Sequence, residues 1–185
     1  MIYFTSDTHF FHKNIIGYCA RPFGDVQHMN DIMVEKWNEK IDPIDTVYFL
    51  GDLSFSNEEK AVEIVTKLNG IKIWILGNHD KKLVKQETLR TLFSSIHEYF
   101  ETKEHFVYQN DEGQILEFNQ SLILFHYPIQ SWNGKNFGSW HLHGHTHKAV
   151  HIDTDLRLDV GVDGHNFYPW SIDEIRDLFA LRTVK

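Results

Sequence analysis

The chain has 185 residues, 42% of them hydrophobic, and a formal net charge of −8 at pH 7. This length and composition suit one globular domain with a full core and exclude an intrinsically disordered chain. The acidic balance argues against duplex nucleic acid as a partner but leaves small phosphorylated substrates open. We therefore predict a single domain over residues 1–185.

Cysteine content and hydropathy bear on the compartment. Cys19 is the only cysteine, so an intrachain disulfide is impossible, and we expect a cytoplasmic protein. Residues 1–7 lack the basic and long apolar regions of a signal peptide and are predicted to be the first strand. No apolar run approaches the roughly 18 residues of a membrane span, so we expect no membrane partner.

The first half of the chain predicts alternating strands and helices. Apolar runs at residues 2–6, 46–50 and 71–76 predict three buried strands. An amphipathic stripe predicts a helix over about 28–41, and a capping box, Ser56-x-x-Glu59, predicts a second helix that ends near Leu68. Because such crossovers are right-handed, the three strands should be parallel neighbours in one sheet.

Each of these strands runs directly into polar residues. Asp7 and His9 follow the first strand, Asp52 follows the second, and Gly77-Asn-His-Asp80 follows the third. Ligands bind at the carboxyl ends of strands in open α/β sheets, so these groups should converge at one edge. Asp7 and His9 would point the same way if extended and could share one metal ion.

The second half of the chain contains further strands and most of the histidines. We predict a weakly patterned helix over 81–97, strands over 98–118 broken by a turn at 110–113, and strands at 121–126 and 156–160. Residues 129–139 are predicted to form a loop that could rim the cleft. A second capping box, Ser171-x-x-Glu174, should open a terminal helix that ends near Leu181.

Histidines also cluster in this half of the chain, which favours metal binding. His126 ends a predicted strand, and residues 140–147 place a histidine at every second position from 141. We expect this strand to end near Gly144, with His145 and His147 projecting into the site and His143 packing behind it.

The candidate ligands are carboxylates, an amide and imidazoles. They are Asp7, His9, Asp52, Asn78, His126, His145 and His147. Seven ligands are too many for one zinc ion, which takes three or four protein groups, and they suit two divalent metal ions with one bridging carboxylate. Mixed nitrogen and oxygen ligands favour Mn, Fe, Zn, Co or Ni over Ca, and we take Mn as the working choice.

Taken together and in this order, the motifs resemble the signature of the calcineurin-like metallophosphoesterase superfamily. The motifs are Asp7-x-His9, Gly51-Asp52, Gly77-Asn-His-Asp80, His126 and Gly144-His-Thr-His147. The Asp-Thr-His-Phe-x-His opening, the Arg-Pro-Phe segment and Val160-Gly-Val-Asp163 resemble a small bacterial and phage-type branch. The resemblance implies an α/β fold, a four-layer α/β/β/α sandwich of two mixed β-sheets flanked by helices.

The resemblance also implies a role for each residue. Asp7, His9 and His147 would hold the first metal, and Asn78, His126 and His145 the second, with Asp52 bridging both. His79 resembles the catalytic histidine of the family, with Asp80 orienting it. The implied activity is a dinuclear-metal-dependent phosphoesterase. We expect a phosphodiesterase that acts on a nucleotide or similar small ester through attack by metal-bound hydroxide, with His79 as general acid.

Several alternatives stay open at this point. The same site could belong to a phosphomonoesterase or a nuclease, and a non-catalytic metal-binding or protein-interaction scaffold could keep the ligands but would not need His79. His12 and Arg21 are either solvated loop charges or a cationic lip that contacts substrate phosphate. For Asp163 we expect a turn cap, with support of the site from behind as the alternative.

Overall fold

The computed structural model describes residues 1–109, 112–147 and 155–183, with side chains described up to residue 180. Within these ranges the chain forms nine strands and five α-helices. The strands are β1 (Ile2–Thr5), β2 (Thr46–Phe49), β3 (Ile71–Ile75), β4 (Ser95–His97), β5 (Tyr99–Gln109), β6 (Ile115–Phe125), β7 (Trp140–His143), β8 (Arg157–Asp159) and β9 (Trp170–Ser171). The helices are α1 (Lys13–Tyr18), α2 (Val26–Lys40), α3 (Glu58–Lys67), α4 (Glu87–Arg90) and α5 (Ile172–Thr183).

The strands form two mixed sheets. The first has the order β4-β3-β2-β1-β9, in which β1 to β4 are parallel and β9 is antiparallel to β1. The second has the order β5-β6-β7-β8, with β5 antiparallel to β6 and the other pairs parallel. The predicted parallel neighbours β1, β2 and β3 are confirmed, and so is the prediction of an α/β sandwich with two mixed sheets.

Alternation along the parallel strands separates two hydrophobic cores. Tyr3, Val47 and Trp74 belong to the core that includes α2 and α3. Phe4 and Ile75, their immediate neighbours in sequence, belong to a second core built with β6, β7, β8 and α5. Because successive side chains of a strand point to opposite faces, the first sheet is buried on both sides. Such burial fixes the strand ends firmly in space.

The helix termini confirm one predicted capping box and correct the other. At α5 the Ser171 amide donates to Glu174 Oε2 (2.7 Å) and the Glu174 amide donates to Ser171 Oγ (3.2 Å), as predicted. At α3 the cap is Asn57, whose Oδ1 accepts from the Lys60 amide at 3.2 Å. Ser56 Oγ instead contacts Ser54 Oγ at 2.8 Å, and Ser54 pairs through its backbone with Phe10 in the loop after β1.

The predicted helix over 81–97 is wrong in its second half. This region contains a 3-10 turn at Leu83–Lys85, the single turn of α4, and then β4, which pairs in parallel with β3. A strand of three residues is too short to show a period, and its place beside β3 is set by tertiary pairing. The predicted turn at 110–113 falls between β5 and β6, which pair with each other, and residues 110 and 111 lie outside the described ranges.

Across the described ranges, none of the helices has the length and apolar character needed to cross a membrane.

Candidate metal centre

The predicted site residues all follow the carboxyl ends of parallel strands. Asp7 and His9 follow β1, Asp52 follows β2, and residues 78–80 follow β3 in the first sheet. In the second sheet His126 follows β6, and His145 and His147 follow β7. Both sheets therefore present their strand ends to the same place, and the loops there are joined by backbone hydrogen bonds such as Asp7 N to Gly51 O at 2.9 Å.

Five of the seven candidate ligands have a left-handed backbone. The φ angles are 57° at Asp7, 49° at His9, 57° at Asp52, 72° at His145 and 51° at His147. Residues other than glycine rarely adopt this backbone conformation, which costs about 1–3 kcal/mol for each residue, and they do so most often at functional sites. The expected extended geometry of Asp7 and His9 is therefore wrong, although both side chains still reach one cluster.

The first cluster consists of Asp7, His9 and His147, whose ligand atoms lie within 4.8 Å of one another. Asp7 Oδ1 lies 3.8 Å from His9 Nε2 and 3.6 Å from His147 Nε2. Neither Asp7 Oδ1 nor either ring nitrogen of His9 has a hydrogen-bond partner among the described residues, although all are buried.

Burial dominates the titration of Asp7 and His9 in this cluster. It raises the pKa of Asp7 to about 7 and lowers the pKa of His9 to about 2, so that the His9 imidazole is neutral. Buried polar atoms that have no hydrogen-bond partner are costly. A bound cation would satisfy them, so this group of residues fits a metal ion.

The second cluster consists of Asp52, His126 and His145, again with ligand atoms within 4.8 Å of one another. His126 Nδ1 lies 2.7 Å from the Leu50 carbonyl oxygen, which can only accept a hydrogen bond. In the neutral imidazole this contact assigns the proton to Nδ1 and leaves the lone pair on Nε2. That nitrogen lies 3.0 Å from Asn78 Oδ1, so in this tautomer two acceptor atoms face each other, an arrangement that a bound cation would relieve.

Asp52 lies between the two clusters. Its Oδ2 is 3.6 Å from His9 Nε2 in the first cluster and 3.6 Å from His126 Nε2 in the second. Its Oδ1 accepts a hydrogen bond from the His79 amide at 2.9 Å. One carboxylate therefore faces both groups of imidazoles, which is the geometry that a bridging ligand needs.

The structure brings His79 to the site but gives Asp80 a different task. The His79 side chain is 44% exposed, and its Nε2 lies 3.9 Å from Asp52 Oδ2. The prediction that Asp80 orients His79 is wrong, because the buried Asp80 carboxylate accepts from elsewhere. Its donors are the amides of Asp52 (2.8 Å), Leu53 (3.0 Å) and Gly77 (2.8 Å) and the Trp74 indole (3.2 Å). Asp80 thus holds the loop after β2 against the loop after β3.

Arg21 is not a cationic lip. Its side chain is fully buried and pairs with both oxygens of Asp163, at 2.7 and 2.8 Å. It also donates to the carbonyl oxygens of Asp7 (2.7 Å) and Thr8 (2.9 Å). The prediction of substrate contact is therefore wrong, since Arg21 fixes the backbone of the first cluster from behind.

Asp163 supports the site, and the expectation of a turn cap is wrong. Its Oδ2 lies 2.8 Å from His147 Nδ1, which leaves His147 Nε2 to face Asp7. Burial alone would raise the pKa of Asp163, but the hydrogen bonds from His147 and Arg21 hold it below its usual range. Cys19 is close enough to join His147 and Asp163 in a third group of potential ligand atoms, but both Asp163 oxygens already have partners.

Phe55 is an aromatic residue near the site that was not predicted from the sequence. Phe55 is 40% exposed and stacks on His12, with ring centroids 3.8 Å apart. The same ring lies 4.6 Å from the His79 ring. His12 is therefore beside the site, and its contact with substrate stays a prediction. The place of Phe55 three residues after the Gly51-Asp52 motif could have indicated that it lies near the site.

Two glycines allow the loops to approach each other. A side chain at Gly144 would collide with Asp7 Oδ2 and Ser6 Oγ, and one at Gly77 would collide with Asp52 Oδ1 and the Asp52 amide at 2.5 Å. Behind them His143 is buried, as expected, with its Nδ1 2.8 Å from the Gly144 carbonyl oxygen. These positions require glycine because the candidate ligands themselves occupy the adjacent space.

Comparison with known proteins agrees with the fold and gives no activity. The chain is 27% identical to the gene 66 protein of Mycobacterium phage D29, over 96% of this chain and 94% of that protein. A crystal structure of AQ665 from Aquifex aeolicus, a protein of unknown function, aligns with a TM-score of 0.66 at 25% identity, over 96% of this chain and 98% of that one. None of the models of known protein families matches the chain.

A further relative settles the family. The uncharacterized protein MJ1445 of Methanocaldococcus jannaschii is 35% identical over 197 residues, which cover 99% of this chain and 96% of that protein. A likeness of this strength along nearly the whole length of both chains indicates a shared fold and common descent. The chain therefore belongs to the same family as MJ1445.

Proposed function

We propose that the protein is a metal-dependent phosphoric ester hydrolase of the calcineurin-like kind, with two divalent metal ions. The observation that carries the proposal is the position of Asp52, whose Oδ2 is 3.6 Å from one imidazole of each cluster. Asp7, His9 and His147 would hold one ion, and Asn78, His126 and His145 the other. The mixture of imidazole nitrogen with carboxylate and amide oxygen suits Mn, Fe, Zn, Co or Ni, and we take Mn²⁺ as the working metal.

The bound metal pair would supply an activated water and would stabilise charge on the phosphoryl oxygens. We assign the proton transfer to His79. Its imidazole is partly exposed, and its amide is fixed to Asp52 by a 2.9 Å hydrogen bond. A protonated His79 would donate to the leaving oxygen, for a typical gain of about 10²–10⁴-fold. Asp80 acts only by holding the loops together.

We propose a small phosphodiester, such as a nucleotide ester, as the substrate, because the motifs resemble those of the calcineurin-like superfamily. His79 and His145 are exposed at the mouth of the site, so a reacting phosphate can reach it from solvent. The net charge of −8 disfavours long duplex partners, which bind through extended basic surfaces. We assign the activity to the cytoplasm, in keeping with the single cysteine.

The test is hydrolysis of bis(p-nitrophenyl) phosphate beside p-nitrophenyl phosphate, with Mn²⁺ supplied, by the wild type and by His79→Ala. We expect cleavage of the diester that a chelator abolishes. We also expect His79→Ala to keep its bound metal, measured by elemental analysis, and to lose about 10²–10⁴-fold in rate. The matched control is His105→Ala, which removes an exposed imidazole from β5 in the second sheet and should change neither quantity.

The outcomes separate the alternatives. Cleavage of the monoester alone would keep the metal centre but replace the diesterase by a phosphomonoesterase. Cleavage of neither ester across several metals, with both ions bound, would refute the proposal in favour of a non-catalytic scaffold. Equal rates for the wild type and His79→Ala would remove His79 from the mechanism.

A further inference from the structure

A groove of about 560 Å³ adjoins the candidate metal centre. Its lining includes Asn78, a candidate ligand of the second metal ion, together with Lys81, Lys85, Phe125 and Tyr127. This volume is in the range of ligand-binding clefts, about 300–1,000 Å³. The groove therefore has the size to hold the part of a substrate that lies beyond the reacting phosphate.

Two lysines give the groove its charge. The Val84 amide donates to the Asp80 carbonyl oxygen at 2.9 Å, which makes residues 80–84 a helical turn. Residues four apart on such a turn lie on the same side, so Lys81 and Lys85 face the groove together. Both are exposed, and neither has an ion-pair partner in the part of the chain that the structure describes.

This arrangement leaves positive charge unneutralised in an acidic protein. Two like charges at this spacing repel each other, and a bound anion would remove that repulsion. Glu98 is the one carboxylate among the described lining residues, so the groove keeps an excess of positive charge. Because the groove adjoins the candidate metal centre, we expect this anion to belong to the same substrate as the reacting phosphate.

Two aromatic rings also line the groove. Tyr127 is 37% exposed, and its ring centroid lies 4.7 Å from that of His145 and 5.5 Å from that of Phe125. A planar base can stack on such a ring, with a gain that does not depend on the base sequence. These rings thus lead from His145 in the second cluster into the groove.

We propose that the groove binds a second phosphate of the substrate through Lys81 and Lys85, and that an adjoining base stacks on Tyr127. The substrate class is then a nucleotide phosphodiester that carries a further phosphate, such as the end of a short single-stranded nucleic acid. The proposal rests on the proposed phosphoesterase activity for its reacting phosphate but concerns a separate set of residues. The proposal predicts that the protein binds such substrates more tightly than diesters with a single phosphate.

The test compares two chromogenic diesters that differ in one phosphate: thymidine 5′-(p-nitrophenyl phosphate) and its 3′-phosphorylated counterpart. For the wild type we expect kcat/KM to be about tenfold higher for the substrate with the second phosphate. In Lys81→Gln/Lys85→Gln this ratio should fall to about one. The matched control is Lys82→Gln, an exposed lysine that does not line the groove and that should keep the wild-type ratio.

A binding measurement separates this proposal from the proposed function. Thymidine 3′,5′-bisphosphate and thymidine 5′-phosphate are titrated calorimetrically into the His79→Ala variant with Mn²⁺, so that the ligands persist. Tighter binding of the bisphosphate that depends on Lys81 and Lys85 would support the groove even if no diester is cleaved. If the diesters are cleaved with equal kcat/KM, the groove does not bind a second phosphate, and the proposed phosphoesterase activity is unaffected. The same holds if the ratio of the two kcat/KM values is unchanged in the double variant.

Discussion

The ion pair between Arg21 and Asp163 offers the sharpest prediction about how the site is held. Asp163 accepts from Arg21 Nε and Nη2 and from His147 Nδ1, at 2.7, 2.8 and 2.8 Å. The Arg21 side chain is 0% exposed and that of Asp163 is 8% exposed. Removing one partner of a buried pair costs about 3–5 kcal/mol, because the other charge stays buried and unpaired.

For Asp163→Asn we expect a loss near the lower end of this range, about 3 kcal/mol. The asparagine keeps one acceptor oxygen, and Arg21 retains its bonds to the carbonyl oxygens of Asp7 and Thr8. With a urea m-value of about 2 kcal/mol/M, the midpoint should fall by about 1.5 M. The assay is urea unfolding followed by tryptophan fluorescence in the presence of a chelator, so that metal binding does not contribute.

The matched control is Asp177→Asn in α5. That carboxylate also pairs with an arginine, Arg176, at 2.8 Å, but its side chain is 70% exposed. Exposed pairs contribute about 0–1 kcal/mol, so its midpoint should hardly move. If Asp163→Asn loses no more stability than Asp177→Asn, the argument that Arg21 depends on a buried counter-charge is refuted.

The same substitution should also affect metal binding. His147 would lose the partner that orients its ring, and such losses typically lower metal affinity by about 10–100-fold. Titration of Mn²⁺ into the folded variant below its unfolding midpoint measures this directly. Unchanged affinity would mean that Asp163 stabilises the fold without positioning His147.

Three further predictions follow from the contacts. Asp52→Asn should lower metal content and activity together, and full occupancy with unchanged turnover would exclude a bridging role. Gly144→Ala should weaken Mn²⁺ binding at least tenfold, because its methyl group would collide with Asp7 Oδ2, whereas Gly17→Ala, with open space around it, should not. Ser171→Ala should cost about 1 kcal/mol in urea unfolding through loss of the α5 cap; no loss would show that the Glu174 contacts suffice.

Much of the site could be predicted because it depends on local patterns and on chain topology. The three apolar runs of the first half are the strands β1, β2 and β3, within one residue at each end. Right-handed crossovers then make their carboxyl ends neighbours, which brings Asp7, Asp52 and Asn78 together without knowledge of any contact. The alternating histidines and Gly144 likewise located the end of β7 correctly.

The details that were predicted wrongly depend on partners distant in sequence. Arg21 and Asp163 are 142 positions apart, so no local pattern shows that their charges meet in the interior. Asp80 adjoins His79 in sequence, yet it accepts hydrogen bonds from the amides of Asp52 and Leu53, which follow another strand. β4 could not be recognised either, since three residues carry no period and only pairing with β3 makes them a strand.

Periodicity and turn residues act over a few positions, so the sequence is enough to predict which groups stand at the strand ends. How those groups are arranged depends on tertiary contacts. The backbone is left-handed at Asp7, His9, Asp52, His145 and His147. The buried carboxylates at positions 80 and 163 hold the loops that carry Asp52 and His147. A buried polar group is costly unless it has a hydrogen-bond or ion-pair partner, and the packing of the whole chain determines which partner lies within reach.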